Sequence, residues 1–92
     1  MELKLFPIPK SGEFRIALTG PDSFDVECKD MDTADYQRMY GFFCQMAGRW
    51  GEFRFEYADT ARPRCVFDSD SPSFVSDGPN RHSVTLPIKV LR

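Results

Sequence analysis

Residues Asp30 to Tyr57 read D-M-D-T-A-D-Y-Q-R-M-Y-G-F-F-C-Q-M-A-G-R-W-G-E-F-R-F-E-Y. This run predicts one amphipathic helix, a glycine stop and an alternating strand. Asp32 suits the N-cap because its carboxylate accepts from a free first-turn N–H; Thr33 is the alternative. Met31 and Tyr36 then take the positions of a hydrophobic staple. Asp35 puts negative charge in the first turn, where it complements the macrodipole. Tyr36, Met39, Tyr40, Phe43 and Ala47 recur at helical spacing as the apolar stripe, with Cys44 and Met46 on its flanks. Phe42 projects about 100° from the centre of that stripe. Either the buried face is broad or Phe42 is exposed for a partner. Gly48 fits the left-handed residue that ends the helix. Beyond Arg49-Trp50-Gly51, Phe53, Phe55 and Tyr57 point one way and Glu52, Arg54 and Glu56 the other.

On both sides of this run the pattern is β. Leu3 and Leu5, with Ile8 as a further candidate, predict a short strand that Pro7 and Pro9 place at an edge or end. Phe14, Ile16 and Leu18 predict a second strand, paired with the first as a hairpin across Pro9–Gly12. Phe24, Val26 and Cys28 form the third. After the central strand, Ala58–Pro63 reads as a loop and Arg64–Phe67 as a short strand. Asp68–Asn80 is polar and turn-rich, with a brief extended piece at Phe74-Val75. Val84, Leu86, Ile88 and Val90 close the chain as its cleanest strand, and Pro87 suggests an edge or an irregularity there. The expectation is one α+β domain over residues 1–92. Five to seven mainly antiparallel strands form a small open barrel or sandwich, and one amphipathic helix packs on it.

Nine Phe, three Tyr and one Trp in 92 residues predict an aromatic core. A net charge of −2 argues against binding by phosphate neutralisation and against attraction to anionic membranes. No apolar run reaches the ~20 residues that span a bilayer, and Met1–Lys10 lacks a signal-peptide layout. The chain is therefore expected to fold in a cytoplasm. Cys28, Cys44 and Cys65 are then reduced and mostly buried, Cys44 among them as a neutral thiol on the helix flank.

Reaction chemistry is sparse. Asp68-Ser69-Asp70 has the oxygen donors of a divalent-cation site but not the loop that would build one. His82 has no partner at metal-ligand spacing, and its neighbour Ser83 points to the opposite face of the strand. Gly48 and Gly51 are wrongly spaced for a phosphate loop or a dinucleotide fingerprint. No cofactor, metal or catalytic residue is expected. Trp50 serves either as a cap on the core or as an exposed anchor. A small ligand- or peptide-binding barrel is the alternative function, with Tyr36, Tyr40 and Tyr57 as polar contacts.

From Phe43 to Phe55 the pattern is F-x4-G-x-W-x2-F-x-F. This resembles the small minor tail proteins, of the type lettered M, in tailed phages with long flexible tails. Phe43, Gly48, Trp50, Phe53 and Phe55 carry the resemblance, followed by Val66 and the run Val84–Val90. It covers the chain from Tyr36 onward; Leu3–Gly20 has no counterpart in the family's N-terminal segment. The resemblance implies a virion structural protein of the tail tip, similar in fold to distal-tail hub domains, encoded by a phage or prophage. It further implies assembly in the bacterial cytoplasm, partners among other tail proteins, and possible self-association as a ring. No nucleic acid, membrane insertion or small-molecule substrate goes with it. Phe42, Arg49, Trp50, Phe74 and Arg81 are the contact candidates. The sheet edges and the loop Asp68–Arg81 are the expected contact surfaces.

Overall fold

A computed structural model describes residues 3–46, 51–68 and 73–91. Among these, seven strands and one helix run in the order β1 (Lys4–Leu5), β2 (Glu13–Gly20), β3 (Ser23–Met31), α1 (Thr33–Gln45), β4 (Phe53–Tyr57), β5 (Thr60–Phe67), β6 (Ser73–Ser76) and β7 (His82–Val90). They form one sheet ordered β1-β4-β5-β7-β3-β2, with β6 also on β7. Every pairing is antiparallel except β1 with β4. The architecture is thus an open α+β sheet under a helix, not two sheets packed as a sandwich.

The sheet is strongly curled. Four strand steps separate β2 from β4, roughly 19 Å if the sheet were flat. Yet the rings of Phe14 and Tyr57 lie 4.6 Å apart, and Phe24 meets Phe55 at 5.1 Å. The concave face gathers Phe24, Val26, Cys28, Phe53, Phe55, Cys65, Phe67, Val84, Leu86 and Ile88, all buried. Period-2 alternation places them on one side of their strands, as the apolar spacing predicts.

Helix α1 seals that face, on a stripe different from the predicted one. Met39, Phe42 and Met46 are buried, and Phe42 is only 8% exposed. Its ring meets Phe6, Phe53 and Phe67 edge-on at 5.8, 5.4 and 6.0 Å. Tyr36 and Phe43 are half-buried, while Tyr40 is exposed. Phe42 is therefore a core residue and not an interface residue. The helix is rotated because Asp35 also points inward, and Asp35, Met39, Phe42 and Met46 form one continuous row. Cys44 consequently turns out to solvent, contrary to the expected buried thiol.

Asp35 is the residue that fixes this rotation. Its Oδ2 accepts from the Lys10 N–H at 2.9 Å, the Ser11 N–H at 2.8 Å and the Ser11 hydroxyl at 2.6 Å. Arg38 donates to Oδ1 at 2.6 Å. Burial alone would raise the carboxyl pKa, but the Ser11 and Lys10 donors and the Arg38 charge hold it below the ordinary value. Together these donors and the guanidinium outweigh the effect of burial. Asp32 is the N-cap as predicted, accepting from the Asp35 N–H at 2.8 Å. Ser11 returns a bond by accepting from the Asp32 N–H at 2.9 Å.

This loop also explains the fate of the first strand. β1 does not form a hairpin with β2; it pairs in parallel with β4, Lys4 beside Phe53. The Phe6 N–H donates to the Arg54 carbonyl at 2.8 Å, and the Phe6 ring enters the centre of the core at 1% exposure. The Leu3/Leu5 alternation misplaces this strand, since Leu5 is the exposed residue and Phe6 the buried one. The chain then crosses the helix start. Gly12, at φ 72°, lies so close to β3 that a Cβ would sit 2.1 Å from the Lys29 carbonyl oxygen.

Two other expectations change. Ala58–Pro63 is not a loop: β4 and β5 are joined by Ala58-Asp59 alone, with Ala58 at φ 51°. Pro63 lies at the register shift of this pair, where the ladder is interrupted. β7 is central, although it contains Pro87. On its β5 side, β5 pairs with Ile88–Val90 and β6 with His82–Thr85. The Pro87 carbonyl accepts from the Asp68 N–H at 2.8 Å, so the missing donor also faces that side. Asp68 continues the β5–β7 register by one rung, so the proline forgoes only the bond that would return to Asp68, beyond the last residue of β5.

Burial raises the pKa of Cys28 to about 12, with the Asp35 charge adding to it, and that of Cys65 to about 11. A colourimetric thiol titration of the native protein is expected to count one fast thiol, Cys44, and the remaining two only after denaturant is added. Three fast thiols would contradict this core.

Candidate assembly surface

Two sheet margins differ in a way that matters for partners. At the β1 margin the outer strand is two residues long and Pro7 and Pro9 follow it. That is how natural sheets blunt an edge. At the other margin β2 runs for eight residues and, among the described residues, pairs only with β3. It has no proline, and its register with β3 is unbroken from Glu13 to Leu18. One edge of backbone donors and acceptors is therefore open along the strand.

The side chains of β2 sort by face. Phe14 and Ile16 are half-buried against the core. Leu18 continues the same face, opposite Phe24, but is 81% exposed. Tyr57, 38% exposed, covers the Phe14 end of the same margin. The outer face alternates in charge, with Arg15 and Glu27 paired at 2.8 Å. Glu13, Arg15, Glu27 and Lys29 line a shallow depression of about 60 Å³ there. It lies on the outside of the sheet and is far smaller than the ~300 Å³ of a small-molecule site.

The contact candidates read from the sequence do not converge. Phe42 is in the core. Phe74, on β6, is half-buried with its ring 5.9, 5.1 and 6.0 Å from those of Tyr36, Tyr40 and Phe43. Arg81 is exposed and reaches Asp30 at 3.4 Å. Arg49 and Trp50 lie outside the described residues, as does Gly48. The loop that carries Arg81 is tied down: the Asn80 side chain accepts from the Thr33 N–H at 3.2 Å, a second cap on the helix.

His82 is better connected than its sequence neighbours suggest. Ser76 Oγ lies 2.8 Å from Nδ1 and Thr33 Oγ1 lies 3.0 Å from Nε2. The ring stacks on Tyr36 at 4.3 Å and 15°. Both nitrogens thus face hydroxyls, and no carboxylate orients the ring as an acyl-transfer base requires. The group links α1, β6 and β7. His82→Phe, which keeps the stack and loses both hydrogen bonds, is expected to cost about 1–2 kcal/mol in chemical denaturation. Among the described residues no three His, Cys, Asp or Glu side chains are grouped to hold a metal ion. No helix among them is long and apolar enough to cross a membrane.

Sequence reasoning missed the roles of Leu18 and Ser76. Leu18 reads as one more member of an apolar strand face, and only strand order shows that nothing covers it. Ser76 is six residues from His82, and the β6–β7 register brings them together. Comparison with protein-family models, curated proteins and solved structures yields no match to this chain.

Proposed function

We propose that the chain is a structural subunit that acts by protein–protein assembly, in the tail tip of a tailed phage or prophage. The observation that carries the assembly reading is β2, an open eight-residue edge with Leu18 exposed at its end. Such an edge offers a partner strand continuous main-chain hydrogen bonds and an apolar contact. The aromatic packing of the interior supports the same reading, because it fills the space a bound ligand would need. The tail assignment rests on the pattern Phe43-x4-Gly48-x-Trp50-x2-Phe53-x-Phe55 and the strands after it. In this reading the protein folds in the host cytoplasm, binds other tail proteins and ends in the virion tail.

Co-expressed with the tail-tip proteins encoded beside its gene, the chain is expected to co-purify with them. Mass spectrometry is expected to find it in purified particles. A chain that leaves every tail protein behind and is absent from particles overturns the assignment.

A further inference from the structure

We propose that the open β2 edge pairs with β2 of a second copy of this chain, joining two sheets across a two-fold axis. The inference rests on reading β2 as an assembly surface and names the occupant. Three features of the strand select its own twin. The first is apolar fit. In an antiparallel pairing centred on Ile16, Phe14 of one copy faces Leu18 of the other, and the two Ile16 side chains face each other. The most exposed apolar residue of the edge then rests beside the Phe14–Tyr57 ring pair. Leu18 and Tyr57 are both covered, twice over, by one contact.

The second is charge. On the outer face Arg15 meets Ala17 and Glu13 meets Thr19, so no like charges stand directly opposite. The two Arg15 side chains approach only on the diagonal, and each is already held by its own Glu27 at 2.8 Å. The third is closure. A strand paired with itself in antiparallel makes the same contact in both directions and uses up both edges, so assembly stops at two through this surface. The β1 margin offers no such strand, being two residues long and followed by Pro7 and Pro9.

Sedimentation equilibrium of the full chain from about 10 μM to about 1 mM should show a mass that rises toward twice the monomer. Leu18→Glu, at an exposed position that the fold does not need, is expected to weaken the dimer at least about tenfold. Leu5→Glu, at the opposite margin, is expected to leave it unchanged. In a Cys44→Ser background, Ile16→Cys should form a disulfide-linked dimer on mild oxidation, because residue 16 faces its own copy in this register alone. A monomer at every concentration overturns the proposal, and so does a dimer that Leu18→Glu does not weaken. Amide hydrogen exchange of Glu13–Gly20 with purified tail-tip proteins added separates the two ideas. Protection of a chain that stays monomeric removes self-pairing and keeps the assembly reading. No dimer and no protection removes both.

Discussion

Phe42→Ala is expected to lower the free energy of unfolding by about 3–5 kcal/mol in urea or guanidinium titration. Phe43→Ala, one position along, is expected to cost only about 1–2 kcal/mol. The Phe42 ring is enclosed by Phe6, Phe53 and Phe67, so its loss leaves a cavity that β4, β5 and the segment after β1 cannot easily close. Phe43 lies at the rim between Phe67 and Phe74, where water can replace part of what is removed. A domain of this size has roughly 5–14 kcal/mol of stability in all. Phe42→Ala therefore brings it near the threshold, while Phe43→Ala leaves it folded. Equal losses would mean that the helix presents a different face to the sheet.

Asp35→Asn is expected to cost about 2–4 kcal/mol at neutral pH, because an amide cannot accept every bond the carboxylate accepts. The effect depends on pH with a defined sign. The native carboxylate has a lower pKa than the unfolded one, which titrates near ~3.9. Its stabilisation is complete above that value and is lost as the pH falls through the native pKa. The difference in unfolding free energy between native protein and variant should therefore be constant from pH 7 to about pH 5 and shrink below pH ~4. A difference that persists unchanged at pH 2 would show that the lost contacts do not depend on the charge.

The closing strand β7, the core face of β4 and the start of the helix were legible in the residues themselves. Val84, Leu86 and Ile88 alternate cleanly, and Asp32 announces the helix by its capping chemistry. What the sequence hid was long-range. The stripe through Tyr36, Met39, Tyr40 and Phe43 is as apolar as the true one, and hydrophobic periodicity cannot reveal that a loop 25 residues earlier pulls Asp35 inward. β1 obeys the hairpin rule locally and breaks it because Phe6 is better placed against Phe53 and Phe55 than beside β2. Of the candidate site, the apolar face of Phe14, Ile16 and Leu18 was legible as a strand, but its place at an open margin was not. Edge or centre is a property of strand order, which no single strand encodes.

The position of Phe6 has a consequence for how the protein is made. Phe6 is made before its neighbours Phe42, Phe53, Phe55 and Phe67, which come roughly forty to sixty residues later in the chain. β1 therefore cannot complete its native contacts until α1, β4 and β5 have been made. In the folded protein it closes over the centre of the core, in parallel with a strand from the other half. Such a late, distant contact slows folding. For this protein, synthesis itself thus delays the sealing of the core until β4 and β5 have emerged.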